Sequence, residues 1–435
     1  MTDAKVILWN REVGAVSWLE DRQIGVFQYH PDFIESGIQL SPLMMPINSV
    51  PYEFPFLPRE TFKGLPGLIA DSLPDAFGNA VINAWLAVQG RPPESFNPVE
   101  RLCYIGTRGM GALEFEPALN ISPSGSNKLE VARLVELSNI ILNKRQGLSG
   151  YLNGRDDREA LGDILRVSTS AGGARAKAII AWNPITNEFS SGQVNLLPEF
   201  EYWILKFDGV SNNRDKELAD PLEYGKIEFV YSLMAAKAGI EMAECRLHHE
   251  GGRSHFMTRR FDRDVEAEKI HMQSLSALSH IDYNQPGLFS YEQTIFVMDR
   301  LGISEKEKEQ QVLRAIFNVI GRNQDDHVKN IAFLMDKSGK WHLSPAFDLS
   351  YAYDPYGLWT NQHQMSINGK RDKFEKEDLI HFAEIAGIKK SRAEEMIEKV
   401  VNAIKCWPEL AEEYEIESDR IEKIQSTHRL SLVIK

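Results

Sequence analysis

The sequence predicts an α+β fold that opens on a small β-rich unit and closes on a mainly helical third. Three observations carry this. Short β-branched and aromatic runs crowd the N-terminus, two further strands precede a long helix mid-chain, and apolar residues recur at helical spacing near the end.

Residues 6–9 (V-I-L-W), 13–16 (V-G-A-V) and 25–29 (G-V-F-Q-Y) read as short strands separated by turn residues, so a sheet begins the molecule. Residues 73–86 read as a helix, with Pro74 in a permitted first-turn position, Asp71-Ser72 as the cap and Q-G-R-P-P at 89–93 as the stop. The Ser/Gly/Asn-rich run 120–128 is the best linker, and a helix with Leu134, Leu137 and Ile141 on one face follows it. Residues 178–182 and 202–207 read as strands, and residues 226–238 as a helix. Met396, Ile397, Val400, Val401 and Ile404 mark an amphipathic helix near the end. The expected units are residues 1–119, a linker and helix over 120–150, a nucleotide-binding unit over 151–265 and a helical lobe over 266–435.

A chain of 435 residues, 43% apolar and 26% charged, is long enough for two or three globular domains. The net charge of −13 argues against a general nucleic-acid binder. Cys103, Cys245 and Cys406 are widely spaced, with no C-x-x-C, and fit buried thiols in a reducing compartment. The N-terminus has no signal-peptide pattern, and prolines interrupt the longest uncharged stretch, so neither secretion nor a membrane span is expected.

The chemistry concentrates late in the chain. Residues 322–330 read R-N-Q-D-D-H-V-K-N, and 18 residues after Asn330 the run S-P-A-F-D ends on Asp348. Protein kinases place a catalytic Asp about five residues before a metal-binding Asn, with a second metal-binding Asp after the next hairpin. Asp325, Asn330 and Asp348 fit that layout, and residues 332–335 and 341–343 supply two strands around D-K-S-G-K. The spacing answers a need: charge on a phosphoryl group in transit is neutralised by Mg²⁺ on hard oxygen ligands, while a carboxylate takes the proton of the attacking hydroxyl.

Two more parts follow by the same logic. A strand lysine paired with a helix carboxylate would hold the α and β phosphates, and Lys206 and Glu228 are placed for it. Ser168-Thr169-Ser170-Ala171-Gly172-Gly173-Ala174-Arg175-Ala176-Lys177, before the 178–182 strand, is not G-x-G-x-x-G. Its small residues nevertheless admit close backbone approach to phosphate, and Arg175 and Lys177 add positive charge.

Taken together, the loop before a strand, the strand lysine, R-F-D-R at 260–263, D-x-H-x-K-N at 325–330 and F-D at 347–348 resemble the HipA family, serine/threonine kinase toxins of bacterial type II toxin–antitoxin systems. The likeness covers nearly the whole chain. L-W-N at 8–10, V-G at 13–14, F-Q-Y at 27–29 and D-S-L-P-D at 71–75 are similar to the family's N-terminal subdomain. So is I-G-T-R-G-M-G-A-L at 105–113, although Arg108 and Gly109 depart from the family pattern.

The resemblance implies a HipA-like, two-lobed protein-kinase-like fold with ATP and Mg²⁺ as cofactors. Asp325 would be the base, Lys206 would grip the ATP phosphates, and Asn330 and Asp348 would hold the metal. The phosphate loop would be Gly172, Gly173, Ala174, Arg175, Ala176 and Lys177, with His327 and Lys329 near the phosphates. Arg259, Arg260, Phe261 and Phe347 would lie on the nucleotide side, although the family more often carries an acidic residue where Arg259 stands. Ser170, with Ser168 as a second candidate, matches the loop serine that such kinases phosphorylate on themselves. A helix-turn-helix antitoxin would be the partner, and a cytosolic translation protein of the aminoacyl-tRNA synthetase class the substrate. DNA would be reached only through the antitoxin, with no membrane involved and the oligomeric state left open. The turn G-K-R-D-K at 369–373 is better read as an ordinary exposed turn than as a DNA contact. Two other readings stand beside the kinase: a catalytically weak nucleotide-binding corepressor, and a metal-dependent phosphoesterase or nuclease built on Asp325, Asp326 and His327.

Overall fold

A computed structural model describes residues 2–118, 129–143, 161–165, 167, 175–192, 199–210, 214–215, 218–219 and 223–433. The loop residues Ser168, Ser170, Gly172, Gly173 and Ala174 lie outside them.

The first sheet is built from β1 (Thr2–Leu8), β2 (Arg11–Leu19), β3 (Ile24–Tyr29) and, arriving later in the chain, β4 (Leu113–Glu116), in the order β3-β2-β1-β4. Alternation drives it: Val6, Leu8, Val16 and Phe27 turn inward while polar neighbours face out. Trp9 and Asn10 take positive φ at the β1–β2 turn, which ends the strand one residue before Trp9.

Short helices α1 (Pro31–Ile34), α2 (Arg59–Phe62) and α3 (Gly67–Ala70) lead to α4 (Ala76–Val88), and α5 (Pro98–Ile105) then returns the chain to β4. The α4 start differs from the expected one. Asp75 is the cap, accepting from the Gly78 amide at 2.7 Å. Asp71 instead accepts from the Ser274 amide at 2.7 Å and its hydroxyl at 2.8 Å, tying this unit to the C-terminal part of the chain. A cap-type residue can satisfy any nearby donor, and here a donor 203 positions away won.

α6 (Val131–Asn143) leads toward a five-stranded antiparallel sheet of β5 (Lys177–Asn183), β6 (Glu188–Ser191), β7 (Glu201–Lys206), β10 (Cys245–Glu250) and β11 (Arg253–Arg259), ordered β10-β11-β7-β5-β6. A two-stranded ribbon, β8 (Arg214–Asp215) and β9 (Leu218–Ala219), precedes α7 (Tyr224–Lys237). Ile227, Val230, Tyr231, Met234 and Ala235 give α7 a buried stripe at helical spacing. Gly225 lets the helix approach the sheet, because a Cβ there would meet the Ser254 carbonyl oxygen at 2.5 Å.

The rest is mainly helical, as expected: α8 (Leu275–Ser279), α9 (Tyr291–Arg300), α10 (Glu305–Gly321), α11 (Lys376–Ile385), α12 (Lys390–Ile404), α13 (Trp407–Glu413) and α14 (Ser418–Thr427). It holds one three-stranded sheet of β12 (His271–Ser274), β13 (Ala332–Met335) and β14 (Trp341–Leu343). The β13–β14 hairpin is the one expected between Asn330 and Asp348.

Two hydrophobic cores result. One joins the first sheet to the helical lobe through residues such as Phe27, Phe115, Phe317 and Val400. The other packs Phe77 and Val81 of α4 against Ile180, Trp203 and Leu205 of the five-stranded sheet. Residues 2–118 thus contribute to both cores. No helix of the described residues is long and apolar enough to cross a membrane.

Candidate functional site

Strands β5 and β7 pair so that Lys177 sits opposite Lys206, and α7, packed against β10 and β11, brings Glu228 to Lys206. The Lys206 ammonium donates to Glu228 Oε1 at 2.6 Å and also to Asp348 Oδ1. One lysine thereby joins strand, helix and the segment that follows the hairpin. Burial opposes the charge on Lys206, but Asp348 and Glu228 outweigh it and hold the ammonium above the usual lysine range. Burial likewise works against ionisation of Asp348, yet Lys206 and then Lys177 bring its carboxyl down to about 2. Burial pushes the Glu228 carboxyl up, with Lys206 pulling the other way. Asp348 lies at φ 53°, a left-handed conformation that Asp tolerates better than most residues.

The second half of the site starts where α10 ends. Its capping box, Ser304 with Glu307, fixes the start, and Arg322 at φ 59° turns the chain out of the helix into the loop. The Asn330 amide donates to the Asp325 carbonyl at 3.0 Å, closing the five-residue spacing into a compact loop. The Trp359 indole N–H donates to Asp325 Oδ1 at 2.6 Å, and His327 Nε2 lies 3.8 Å from the same oxygen. The Asn323 side-chain amide donates to the Asp348 carbonyl at 3.4 Å, which ties the start of this loop to the segment whose carboxylate meets Lys206.

Asp326 is different. It is buried, accepting from the Tyr291 hydroxyl at 2.8 Å and the Gln364 amide at 2.7 Å, with His363 Nδ1 at 2.8 Å from its Oδ2. A carboxylate so committed cannot join Asp325 and His327 around a metal-activated water, so the arrangement required by the phosphoesterase reading does not form.

The oxygen donors suit Mg²⁺. The Asn330 amide nitrogen is turned to the loop backbone, which presents its carbonyl oxygen as the ligand atom, and Asp348 is an ionised carboxylate. These two would hold the ion.

Around them, Lys177 lies 3.5 Å from Asp75 Oδ2, both side chains buried. Arg175 stacks its guanidinium over Tyr224 at 3.2 Å from the ring centroid, and Ala176 is buried with its carbonyl bonded to the Phe207 amide at 3.0 Å. Lys329 Nζ sits 5.3 Å from the Tyr283 ring centroid. Phe261 and Phe347 lie against one another at 5.5 Å between centroids. Arg259 is 3.2 Å from Glu244 and 3.7 Å from Glu201, with 43% of its side chain exposed.

Arg260 corrects the sequence reading. Its side chain has no exposed surface; it forms a bidentate pair with Asp262 at 2.9 and 2.7 Å and reaches the carbonyls of Gly192 and Gly109. It cannot touch a nucleotide, because all of its donors point into the interface between the N-terminal unit and the sheet. Asp262 also accepts from the Gly111 amide at 2.7 Å and from Arg263 at 2.8 Å. Burial works against its charge, but Arg260 and Arg263 hold Asp262 ionised, far below the usual range.

Two residues of the site escaped the sequence reading of roles. Asp75 stood in the D-S-L-P-D segment without a chemical assignment, and its position beside Lys177 is a tertiary fact. Trp359 carried no signal, because 34 residues separate it from Asp325.

No curated protein matches the chain. Among solved structures, the Shewanella oneidensis MR-1 toxin–antitoxin complex of HipA, HipB and operator DNA is similar, with a TM-score of 0.64 and 17% identity, covering 99% of this chain and 96% of that one. That likeness extends the fold over the whole chain. The Helicobacter pylori proinflammatory kinase CtkA is a weaker neighbour, with a TM-score of 0.35 and 13% identity over 54% of this chain and 89% of that one, and adds nothing to the assignment. The HipA N-terminal domain matches residues 4–116 and the HipA-like C-terminal domain matches residues 169–407, more than half of the sequence, so the chain belongs to the HipA family.

Proposed function

We propose that this protein is an ATP-dependent serine/threonine protein kinase acting as the toxin of a type II toxin–antitoxin system. The observation that carries the reading is Lys206, bonded at once to Glu228 and Asp348, with the Asp348 segment tied through Asn323 to the loop in which Asn330 bonds Asp325. Phosphoryl transfer asks mainly for positioning and charge compensation, and these side chains supply both. Lys206 and Lys177 take the phosphates, and Asp325 accepts the acceptor hydroxyl's proton. Mg²⁺, held by Asn330 and Asp348, would neutralise charge on the phosphate oxygens. Phe261, Phe347 and Arg259 would border the base of the nucleotide.

The finer expectations belong to the same reading: modification of Ser170 or Ser168 by the kinase itself, a translation protein as substrate, and a helix-turn-helix antitoxin that brings the complex to DNA. A HipA–HipB–operator complex in a relative of similar fold supports the partner. The basic turn supports indirect DNA contact, because Lys370 is bonded to Asp378 at 2.7 Å and Arg371 to the His363 carbonyl at 2.6 Å.

The test is incubation with Mg²⁺ and γ-labelled ATP beside Asp325→Ala, followed by mass spectrometry of the peptide spanning residues 168–177. Label on protein that falls in the variant to a small residual rate, measurable only on long incubation, is the expected result. ATP binding with no transfer would move the assignment to a nucleotide-binding corepressor.

A further inference from the structure

We propose that Trp359 is a positioning residue for Asp325, its indole N–H fixing the carboxylate in the orientation that receives the acceptor's proton. The inference rests on the kinase reading above. In the transfer, the acceptor oxygen bonds to the γ-phosphorus while the bond from that phosphorus to the β–γ bridging oxygen breaks. The electron pair leaves on ADP, and the acceptor's proton passes to the carboxylate of Asp325. That carboxylate must hold one rotation while the hydroxyl approaches.

Trp359 is suited to this by chemistry and by support. An indole N–H donates and never accepts, so its bond to Asp325 Oδ1, at 2.6 Å, draws on the carboxylate's charge and persists while that charge does. The ring is itself buried, with 9% exposure. Trp18 and Trp203 also reach carboxylates, but only those of Glu20 and Glu201, two positions away on their own strands or turns. Trp359 crosses 34 residues to reach the one carboxylate placed as the base.

A closed circuit of hydrogen bonds aims it. Asp326, next to the base, accepts from the Gln364 amide at 2.7 Å. The Gln364 side chain donates to the Trp359 carbonyl at 2.5 Å and to the Gln324 carbonyl at 3.1 Å. Gln324 in turn donates to the Thr360 carbonyl at 3.0 Å. The catalytic loop and the 359–364 segment are therefore stitched together on both sides of the indole, and Asp326 serves the site through this circuit. A side chain held by its own backbone and by packing loses little entropy in making its bond, which is how a donor keeps a carboxylate in one orientation.

The variant Trp359→Phe keeps an aromatic ring and removes the donor. The expected result is a kcat reduced about tenfold to a hundredfold, with KM for ATP within about twofold of the parent. In an Asp325→Ala background the same change should cost nothing further, since its effect runs through the missing carboxylate. If Phe does not fold at this position, benzothienylalanine at 359, isosteric with tryptophan but lacking the N–H, gives the same comparison. An unchanged kcat, a loss that adds to that of Asp325→Ala, or a loss confined to KM for ATP would each overturn the proposal. Transfer by the parent with an unaffected variant overturns this inference alone, whereas absence of transfer by the parent overturns the kinase reading with it.

Discussion

Asp75 and Lys177 face each other across 3.5 Å where the N-terminal unit meets the five-stranded sheet, both side chains buried. Burial pushes the Asp75 carboxyl up, with Lys177 opposing, while one oxygen also caps α4. Asparagine caps a helix as well as aspartate, so Asp75→Asn removes the charge and keeps the helix start. Stranding a buried ammonium costs about 3 kcal/mol, so the variant should melt several degrees lower. ATP with Mg²⁺ should then raise its Tm more than it raises that of the parent, because phosphate replaces the lost anion. Equal ligand-induced shifts would show that Asp75 does not compensate Lys177.

Glu228 contributes its charge to holding Lys206, and glutamine keeps the shape and one acceptor. Glu228→Gln should lower kcat about tenfold through weaker grip on Lys206, with a modest change in Tm. Steady-state kinetics with calorimetry decide it; a variant with full activity would show that Asp348 alone suffices to place the lysine.

The correction at Arg260 is open to direct contrast with its neighbour Phe261. Arg260→Met leaves Asp262 with one fewer partner in a buried network, and stability should fall by about 3 kcal/mol while KM for ATP in the folded fraction stays the same. Phe261→Ala, which strips one ring of the Phe261–Phe347 pair, should raise KM for ATP severalfold. The reverse pattern would return Arg260 to the nucleotide site.

Acid should destabilise the fold through histidines that accept from the backbone. His255 Nδ1 takes the Asp208 amide at 2.9 Å and His280 Nε2 takes the Gly67 amide at 3.0 Å, so each accepting nitrogen must stay unprotonated. Burial lowers both to about 4. Their contribution is complete above the ordinary histidine range near 6.5 and is lost as pH falls toward 4, on the order of 2 kcal/mol each by pH 4.5. Asp75, Asp208 and Glu228, whose carboxyls are pushed up, act in the opposite sense, so the informative comparison is with His255→Gln. That variant should show a shallower fall in Tm between pH 6.5 and 4.5; an unchanged slope would remove His255 from the account.

Much of the fold was legible because its signals are local. The alternation in β1 to β3, the stripe on α7 and the strands around D-K-S-G-K depend on a side chain's immediate neighbours, and they appear where the spacing puts them. What misled was a residue with more than one way to satisfy the same chemistry. Asp71 looked like the cap of α4 but bonds Ser274, and Asp75 caps instead. Arg260 looked like a nucleotide contact because R-F-D-R resembles the family motif, yet just beyond the end of β11 its guanidinium pairs with buried Asp262 two residues on.

By itself, the sequence determined the α+β order, the family and the spacing that puts Asp325, Asn330 and the hairpin in one short loop, since each is set by residues close in the chain. The pairing of Lys206 with Glu228 was expected from a strand lysine and a helix carboxylate, but tertiary structure alone decided that Lys206 also meets Asp348, that Asp75 reaches Lys177 from the N-terminal unit, and that Trp359 bonds Asp325. The physical reason is that buried charges and donors must find partners wherever packing brings them. For these last three pairs, packing spans from 34 to 142 positions of chain that no local pattern records.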